Sequence, residues 1–511
     1  MKTWLAISFW VLLAWPVVAQ NELPSTTTLA ANMYHDTAHA PFLFGVASGD
    51  PLTDRVIIWT RISPSQNQNS IAVKWEMALD PLFNNIVNSG ATEATSTKDW
   101  TVKVDADNLQ PGTKYYYRFI SPDGNYSATG RAKTAPATGA AHFRFASLSC
   151  SSIYSGFFNA YRRLGERDDI DLLVHLGDYI YDFVDKEEQL RVPLPYPLAP
   201  NDLATFRERH RYYLTDPDLR FARQQQTWVA IWDNHDIEVR HPEIDKQAKQ
   251  AFFEYLPIRE VTLEEPYRIY RQFSFGGLFD LFMLDMDSYE VKEGTGRTFL
   301  GKQQLEWLKQ AVLSSTATWK FIGSQKMVGG WYSKGIPKFL GLPGDGTFFD
   351  TSSFDGYDEE RSALLQYFAD SQINNLVVVS GDMHMTFAMN LAPEPHNRKK
   401  YKRRTGQGSV GVEILTTSIS RGNFDEQGAP KPAAELVRKI SMSTNPHHVF
   451  TDFIQHGYGI LDITPERVIA EMWYSPVLYQ TEKEKFGVAL RVRNGKNKWD
   501  WRLLAEPAKQ E

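Results

Sequence analysis

Five apolar runs of this 511-residue chain each end in side chains able to hold metal ions. The tips are Cys150, Asp178, Asn234 with His235, Asp382 with His384, and Thr416-Thr417-Ser418. The sharpest is GDYIYD at 177–182, which follows the buried-strand pattern DLLVHL and offers the carboxylate of Asp178 and the phenol of Tyr181. Open α/β sheets carry their chemistry beyond the carboxyl ends of their strands, so scattered tips of this kind can converge on one crevice. A carboxylate such as Asp178 can bridge two cations, the amide oxygen of Asn234 adds a neutral ligand, and the imidazole of His384 completes a mixed oxygen and nitrogen set. Two metals about 3.5–4 Å apart stabilise both the attacking and the leaving oxygen of phosphoryl transfer. In WDNHD, Asn234 and His235 can divide the work, one on a metal and the other on the transferring group. Asp382 and His384, at i and i+2 of an extended segment, are expected to point to the same side. Any one of these residues alone is more often a turn former or a hydrogen-bonding partner; four such tips in sequence point to a metal-dependent hydrolase.

The elements that must position these tips fall into two rhythms. From 41 to about 137 short alternating strands are predicted at RVIIWTRI (55–62), IAVKWEMAL (71–79), DWTVKVDA (99–106) and KYYYRFI (114–120). Turn signals such as Pro111-Gly112 and Asp123-Gly124 separate them, which predicts a small antiparallel sandwich. The stretch from Leu109 to Tyr117 resembles the tyrosine corner of fibronectin type III domains, where a hydroxyl ties a turn to the next strand. Thr134 to Ala141, small and containing Pro136, is the linker candidate. Beyond it, strand alternates with helix. FRFASLSC (143–150), an amphipathic segment at 156–167 carrying Phe157, Tyr161 and Leu164 at helical spacing, and DLLVHLGD form a β-α-β unit. The pattern of apolar run and polar tip repeats at 226–236, 278–289, 319–327 and 376–384, with helices expected at 301–313 and 359–370. Loops at Val192–Pro200 and Gly341–Gly346 are expected to overhang the crevice.

Composition sets the limits. The chain is long enough for one large core and a smaller second one. A formal charge of −6 provides no long-range attraction for nucleic acid, so no nucleic-acid partner is expected. The basic run Arg398–Arg404 reads as a solvated loop. Lys2, the apolar stretch Trp4–Val18 and the small residues Val17-Val18-Ala19 form a secretory leader over residues 1–19. That stretch is short for a span of roughly 20 residues, so no stable membrane span is expected. The mature protein is expected to be exported, to the periplasm or beyond. Cys150 is the single cysteine, which excludes an intramolecular disulfide, and in isolation it reads as a small buried apolar residue.

The same residues carry a family resemblance. FLFGVASGDPLTDRVIIWTRI at 42–62 is similar to the amino-terminal sandwich signature of the PhoD-type alkaline phosphatases, within the calcineurin-like metallophosphoesterases. The rest of the chain resembles that family at FASLSC, LVHLGDYIYD, IWDNHD, the segment 300–325, SGDMH, VEILTTSIS and the stretch beginning NPHHVF. The resemblance implies an α/β fold: a four-layer α/β/β/α domain over 142–505, preceded by the all-β, fibronectin type III-like sandwich over 41–137. It further implies a mixed site of ferric iron (Fe3+) with calcium (Ca2+). Carried over residue by residue, Cys150, Asp178 and Tyr181 surround the iron, with Asp178 bridging to the second metal. Asn234, and secondarily Asp233, hold the second cation; Asp382 and His384 close the site; His235 protonates or stabilises the leaving oxygen. A thiolate and a phenolate both favour a ferric ion, which gives the lone cysteine a chemical role. His175, His447 and His448 are expected to be packing residues.

Three departures stand out. Relatives often have WDDHE where this chain has Trp232-Asp233-Asn234-His235-Asp236, so an amide replaces a carboxylate and puts the second metal in question. The leader lacks paired arginines, and LDMDSYE at 284–290 lacks an arginine found near the phosphate in relatives. The leading expectation is a monomeric phosphoesterase whose partner is a phosphate ester substrate, a mono- or diester attacked by a metal-activated water or hydroxide. The alternatives are a phosphodiesterase acting on lipid or polymer diesters and, from another class, a degenerate exported binding protein, to which only Asn234 leans.

Overall fold

The computed structural model describes residues 34–182, 191, 201–260, 265–292, 294, 297–333, 347–426 and 428–509. The leader expected at 1–19 and the loops expected at 192–200 and 341–346 lie outside these residues. Among the described residues no helix is long and apolar enough to cross a membrane.

Three sheets account for the strands. A nine-stranded sheet runs in the order β20 (Lys485–Arg493), β19 (Arg467–Tyr474), β18 (Gly457–Ile463), β8 (Phe143–Leu148), β9 (Leu172–Leu176), β10 (Thr227–Ile231), β1 (Val46–Gly49), β2 (Val56–Arg61) and β5 (Thr101–Ala106). A seven-stranded sheet has the order β11 (Arg271–Phe275), β12 (Phe279–Met283), β13 (Trp319–Ser324), β14 (Leu376–Ser380), β16 (Gly411–Leu415), β15 (Thr386–Leu391) and β17 (His448–Asp452). The third contains β4 (Ile86–Thr95), β3 (Ser70–Ala78), β6 (Lys114–Ile120) and β7 (Gly130–Lys133). β8, β9, β10 and β1 are mutually parallel, as are β12, β13, β14 and β16, so each large sheet brings several carboxyl ends to one edge.

The apolar runs explain the layering. Residues of a strand alternate between faces, and a strand buried on both sides reads as a continuous hydrophobic run. In β14, Val377 and Val379 enter the core shared with the nine-stranded sheet, whereas Leu376 and Val378 enter a second core. β12 and β13 divide in the same way, with Leu281 and Phe321 inward and Phe282 and Ile322 outward. The inner faces meet through aromatic edges, Phe145 against Phe321 at 5.3 Å and Phe143 against Phe279 at 5.2 Å. The outer face of the seven-stranded sheet is covered by the helices Lys302–Ser314, through Leu308 and Val312, and Asp358–Asp370, through Leu364, Leu365 and Phe368. The nine-stranded sheet is covered by Asn159–Glu166, Leu203–Tyr213, Pro217–Gln225 and Pro242–Tyr255, which contribute Tyr161, Phe206, Leu219 and Phe252. The result is the expected α/β/β/α order.

The amino-terminal strands make a sandwich, but one of its walls is the end of the nine-stranded sheet. Val46, Val56, Ile58 and Val102 of β1, β2 and β5 pack against Val73, Met77, Tyr117 and Phe119 of β3 and β6. β1 pairs in parallel with β10, Ser48 opposite Thr227 and Gly49 opposite Trp228, so hydrogen bonding runs unbroken into the α/β layers. The segment expected as a linker is itself pinned: the Ala135 N–H donates to Leu52 O at 3.0 Å and the Gly139 N–H to Gly276 O at 2.8 Å. The tyrosine corner is present as Tyr115, whose hydroxyl accepts the Gln110 N–H at 2.7 Å.

One buried ion pair fastens the sandwich signature to both large sheets. Asp50 follows β1 and accepts from Arg271 of β11 through Nη2 at 2.7 Å and Nε at 3.1 Å, and from the Arg259 N–H at 2.8 Å. Arg271 also donates to Ala230 O in β10 at 3.0 Å. Both side chains are buried, so removing one strands the other's charge. Asp50→Ala is expected to destabilise the protein by about 3–5 kcal/mol, measured by denaturant unfolding. A cost below about 1 kcal/mol, the level of a surface pair, would contradict this role.

Candidate metal centre

Four strand ends deliver the site. Beyond β8 the chain turns at Cys150, beyond β9 at Asp178, beyond β10 at Asp233, and beyond β14 at Asp382 and His384. Cys150, Asp178, Asp382 and His384 all have left-handed backbone, with φ of 59°, 55°, 69° and 58°. Such conformations cost non-glycine residues of order 1–3 kcal/mol each and persist only where surrounding structure enforces them. Here the enforcement is visible. The Cys150 N–H donates to Gly177 O at 3.1 Å and the Ser151 N–H to Asp178 O at 2.9 Å, locking the first two tips together. Ser149 and Ser418 form a parallel bridge beyond β8 and β16, which joins the two large sheets at the crevice.

The ligand atoms form two clusters that share one residue. Cys150, Asp178 and His384 offer atoms within 4.8 Å of one another, and so do Asp178, Asp233 and Asp382. Tyr181 borders the first cluster: its hydroxyl donates to Asp178 Oδ2 at 2.8 Å and lies 3.4 Å from His384 Nε2. His384 Nδ1 meets Gly422 O at 3.1 Å, a carbonyl that can only accept. The ring proton is therefore on Nδ1 and the Nε2 lone pair faces the cluster, the tautomer a metal ligand needs. Cys150, Asp178 and Asp233 are buried while Asp382 and His384 are half-buried, so the site opens on the side of the β14 tip.

The electrostatics describe a site short of positive charge. Burial, then Asp178 and Asp382, push the Cys150 thiol well above its ordinary range. Burial and Asp178 do the same to Tyr181. Burial raises Asp382 to about 7, against the pull of Lys326 and with the help of Asp350 and Asp178. Asp233 is raised well above the carboxylate range by burial, although Lys326 Nζ stands 3.3 Å from Oδ1. Neither oxygen of Asp233 has a hydrogen-bond partner among the described residues. Buried carboxylates answered by one lysine, packed beside a thiol, a phenol and an imidazole lone pair, make a donor set that fits cations.

The structure reorders one expectation. Asn234, expected as the main ligand of the second cation, is exposed, and Asp233 takes the place beside Asp178 and Asp382. WDNHD is a turn, closed by the Asp236 N–H on Asp233 O at 3.0 Å. Buried Asp236 accepts from the backbone N–H of Asp233, Tyr179 and Ile180, and it ties this turn to GDYIYD. The two acids of the turn thus face inward and the amide outward, so the change from acid to amide leaves the inner carboxylates in place. Asp382 and His384 reach the site from left-handed backbone rather than from an extended strand, and they join different clusters. Thr416-Thr417-Ser418 brace the site: Thr417 Oγ1 lies 2.6 Å from Gln455 O and 2.8 Å from His384 O, and Ser418 Oγ donates to Arg421 O at 2.6 Å. His235 adjoins Asp178 through its N–H, 3.3 Å from Oδ1, and its ring lies 4.2 Å from that of Tyr181.

His175, at 3.0 Å from the Tyr161 hydroxyl and pushed down to about 3 by burial, is a core residue, and His447 and His448 both face Gly330 O at 3.0 Å. Three further polar neighbours escaped the sequence reading. Asp182 Oδ1 meets His235 Nδ1 at 2.7 Å, Lys326 is buried between Asp233 and Asp287, and the Arg421 guanidinium lies 5.3 Å above the Tyr181 ring. Asp182 closes the GDYIYD motif and Lys326 follows the β13 tip, so position along the chain was the available signal for both.

The family model described as PhoD-like phosphatase matches residues 145–472, and that of the PhoD-like phosphatase N-terminal domain matches residues 28–136. The chain belongs to the PhoD-like phosphatases. It is 31% identical over 498 residues to alkaline phosphatase D of Bacillus subtilis (strain 168), covering 89% of this chain and 80% of that one. A solved structure of PhoD superposes with a TM-score of 0.79 at 28% identity, covering 93% of this chain and 94% of the other. This PhoD-like phosphatase is accordingly a metal-dependent phosphoesterase, a hydrolase acting on phosphate esters.

Gly177 gives the site its tightest steric constraint. Its φ is +103°, and a Cβ there would lie 2.5 Å from Asp233 Cβ. Gly177→Ala is expected to push the Asp178 and Asp233 tips apart, lowering bound metal and turnover at least tenfold while far-UV circular dichroism stays unchanged. Full metal occupancy in the variant would show that this approach does not shape the site.

Proposed function

We propose that this protein is an exported phosphoesterase that hydrolyses phosphate mono- or diesters with a ferric and a calcium ion, which would share Asp178 as a ligand. The observation that carries the reading is the shared carboxylate: one residue within reach of two ligand clusters of different chemistry. Cys150, Tyr181 and His384 with Asp178 supply sulfur, phenol and imidazole, a set suited to ferric iron. Asp178, Asp233 and Asp382 supply carboxylate oxygens, suited to a hard cation such as calcium. With Asp233 and Asp382 in this arrangement, the degenerate binding protein loses its one supporting feature. The leader pattern at 1–19 supports export.

When bound, the metals would supply an acidic water and neutralise charge on the phosphoryl oxygens. The chain's own residues do the rest. Asp178 holds the two ligand clusters in register. His235, fixed through Nδ1 by Asp182, transfers its proton at Nε2 to the leaving oxygen. Burial alone would depress the His235 imidazole, but the carboxylates of Asp178 and Asp182 outweigh it and the net shift is upward, favouring the protonated acid. Asp236 and Gly177 keep the turn carrying His235 against Asp178.

Rates on a nitrophenyl monoester, a bis-nitrophenyl diester and an alkyl phosphate test this directly. Asp178→Asn is expected to abolish turnover of every ester; preserved activity would refute the bridging role. His235→Ala is expected to slow the alkyl ester by about 10²–10⁴-fold and the nitrophenyl esters much less, because nitrophenolate leaves without a proton. Equal losses on both would contradict general acid catalysis. Cys150→Ser is expected to bleach any thiolate-to-iron absorption, and an unchanged visible spectrum would remove the thiol from the site.

A further inference from the structure

The PhoD-like reading leaves open which protein cation grips the phosphoryl group. We propose that Arg421 binds the phosphoryl oxygens of the substrate and that a chain of Ser418, His456 and Glu426 positions it. The inference rests on the phosphoesterase reading and deepens it.

Arg421 adjoins the site twice over. Its N–H donates to Cys150 O at 3.2 Å, and its guanidinium covers the Tyr181 ring at 5.3 Å. Tyr181 in turn bonds Asp178, so the guanidinium stands one ring away from the shared carboxylate. Lys326, the other cation at the site, lies between Asp233 and Asp287 at 3.3 and 2.8 Å. An arginine offers a planar fork of donors that matches two phosphoryl oxygens at once.

The positioning chain follows from counting protons. Ser418 Oγ lies 2.6 Å from Arg421 O, a carbonyl that can only accept, so its single proton is committed there. Toward His456 Nδ1, at 2.9 Å, Ser418 must therefore accept, which puts a proton on Nδ1. His456 Nε2 faces Glu426 Oε2 at 3.0 Å, and the same oxygen accepts the Asn423 N–H at 3.2 Å. His456 is buried, and its contact with Glu426 closes the 418–426 turn beneath Arg421. Asp425, Glu426 and His456 also lie within 4.8 Å of one another.

The test is binding of inorganic phosphate to the metal-loaded enzyme by calorimetry, together with KM and kcat on the nitrophenyl monoester. Arg421→Ala is expected to weaken phosphate binding and raise KM by roughly 10- to 100-fold with metal content unchanged. Arg421→Lys, which keeps the charge and loses the fork, should fall between the two. His456→Ala is expected to raise KM several-fold with kcat held, and His456→Asn, whose amide can donate to Ser418 as Nδ1–H does, to recover most of the loss. Wild-type phosphate affinity in both Arg421 variants, in an enzyme that turns over the ester, would overturn the proposal and leave the phosphoesterase reading standing. A wild-type protein that hydrolyses no ester would instead sink the reading beneath it. Loss of phosphate binding in His456→Asn equal to that in His456→Ala would remove the positioning chain.

Discussion

Asp178 sits where two ligand clusters meet, on a left-handed backbone that its own side chain disfavours. Everything around it offsets that cost. Its carbonyl accepts the Ser151 N–H, one carboxylate oxygen accepts the Tyr181 hydroxyl, and the other accepts the His235 N–H. Gly177 before it leaves room for the WDNHD turn, and Asp236 ties that turn to the two residues after it. Charge repulsion among Asp178, Asp233 and Asp382 opposes the arrangement, and Lys326 answers only part of it. A cation held by these carboxylates would turn their repulsion into attraction, the coupling of metal binding to folding seen in buried ligand sets.

Holding this point requires both large sheets. Cys150 and Asp178 come from one, Asp382 and His384 from the other, so any sliding of the layers would pull the clusters apart. The aromatic contacts between inner faces, the Ser149–Ser418 bridge and the Asp50–Arg271 ion pair each oppose that motion. The last gives a structural role to Asp50, which directly follows β1 in the amino-terminal signature. Through that aspartate the sandwich is part of the frame that keeps the layers in register, and sheet hydrogen bonding continues through it into β10.

Much of this frame was legible because buried parallel strands write themselves as apolar runs. DLLVHL, LVVV and TWVAI each became a strand ending where the tip residues begin. β4 escaped because its outward face is polar and its burial slight, as in IVNSGATEAT. The helices Leu203–Tyr213 and Pro217–Gln225 escaped because arginines interrupt their apolar spacing; Arg209, Arg220 and Arg223 are nevertheless buried. Within the site, the motifs identified the tips but not their direction. A strand-like reading of WDNHD turns Asn234 inward; a turn exposes it and buries Asp233. Arg421 could not be assigned from spacing, since its closeness to Tyr181 depends on how β16 leaves the opposite sheet.

Anomalous diffraction from crystals of the purified holoprotein, collected at the iron edge and at a longer wavelength, tests the central claim most directly. The account expects two peaks per chain, both touching the carboxylate of Asp178, the iron-edge peak on the Cys150 side and the other on the Asp233 side. A single peak, or two that do not share Asp178, would contradict it.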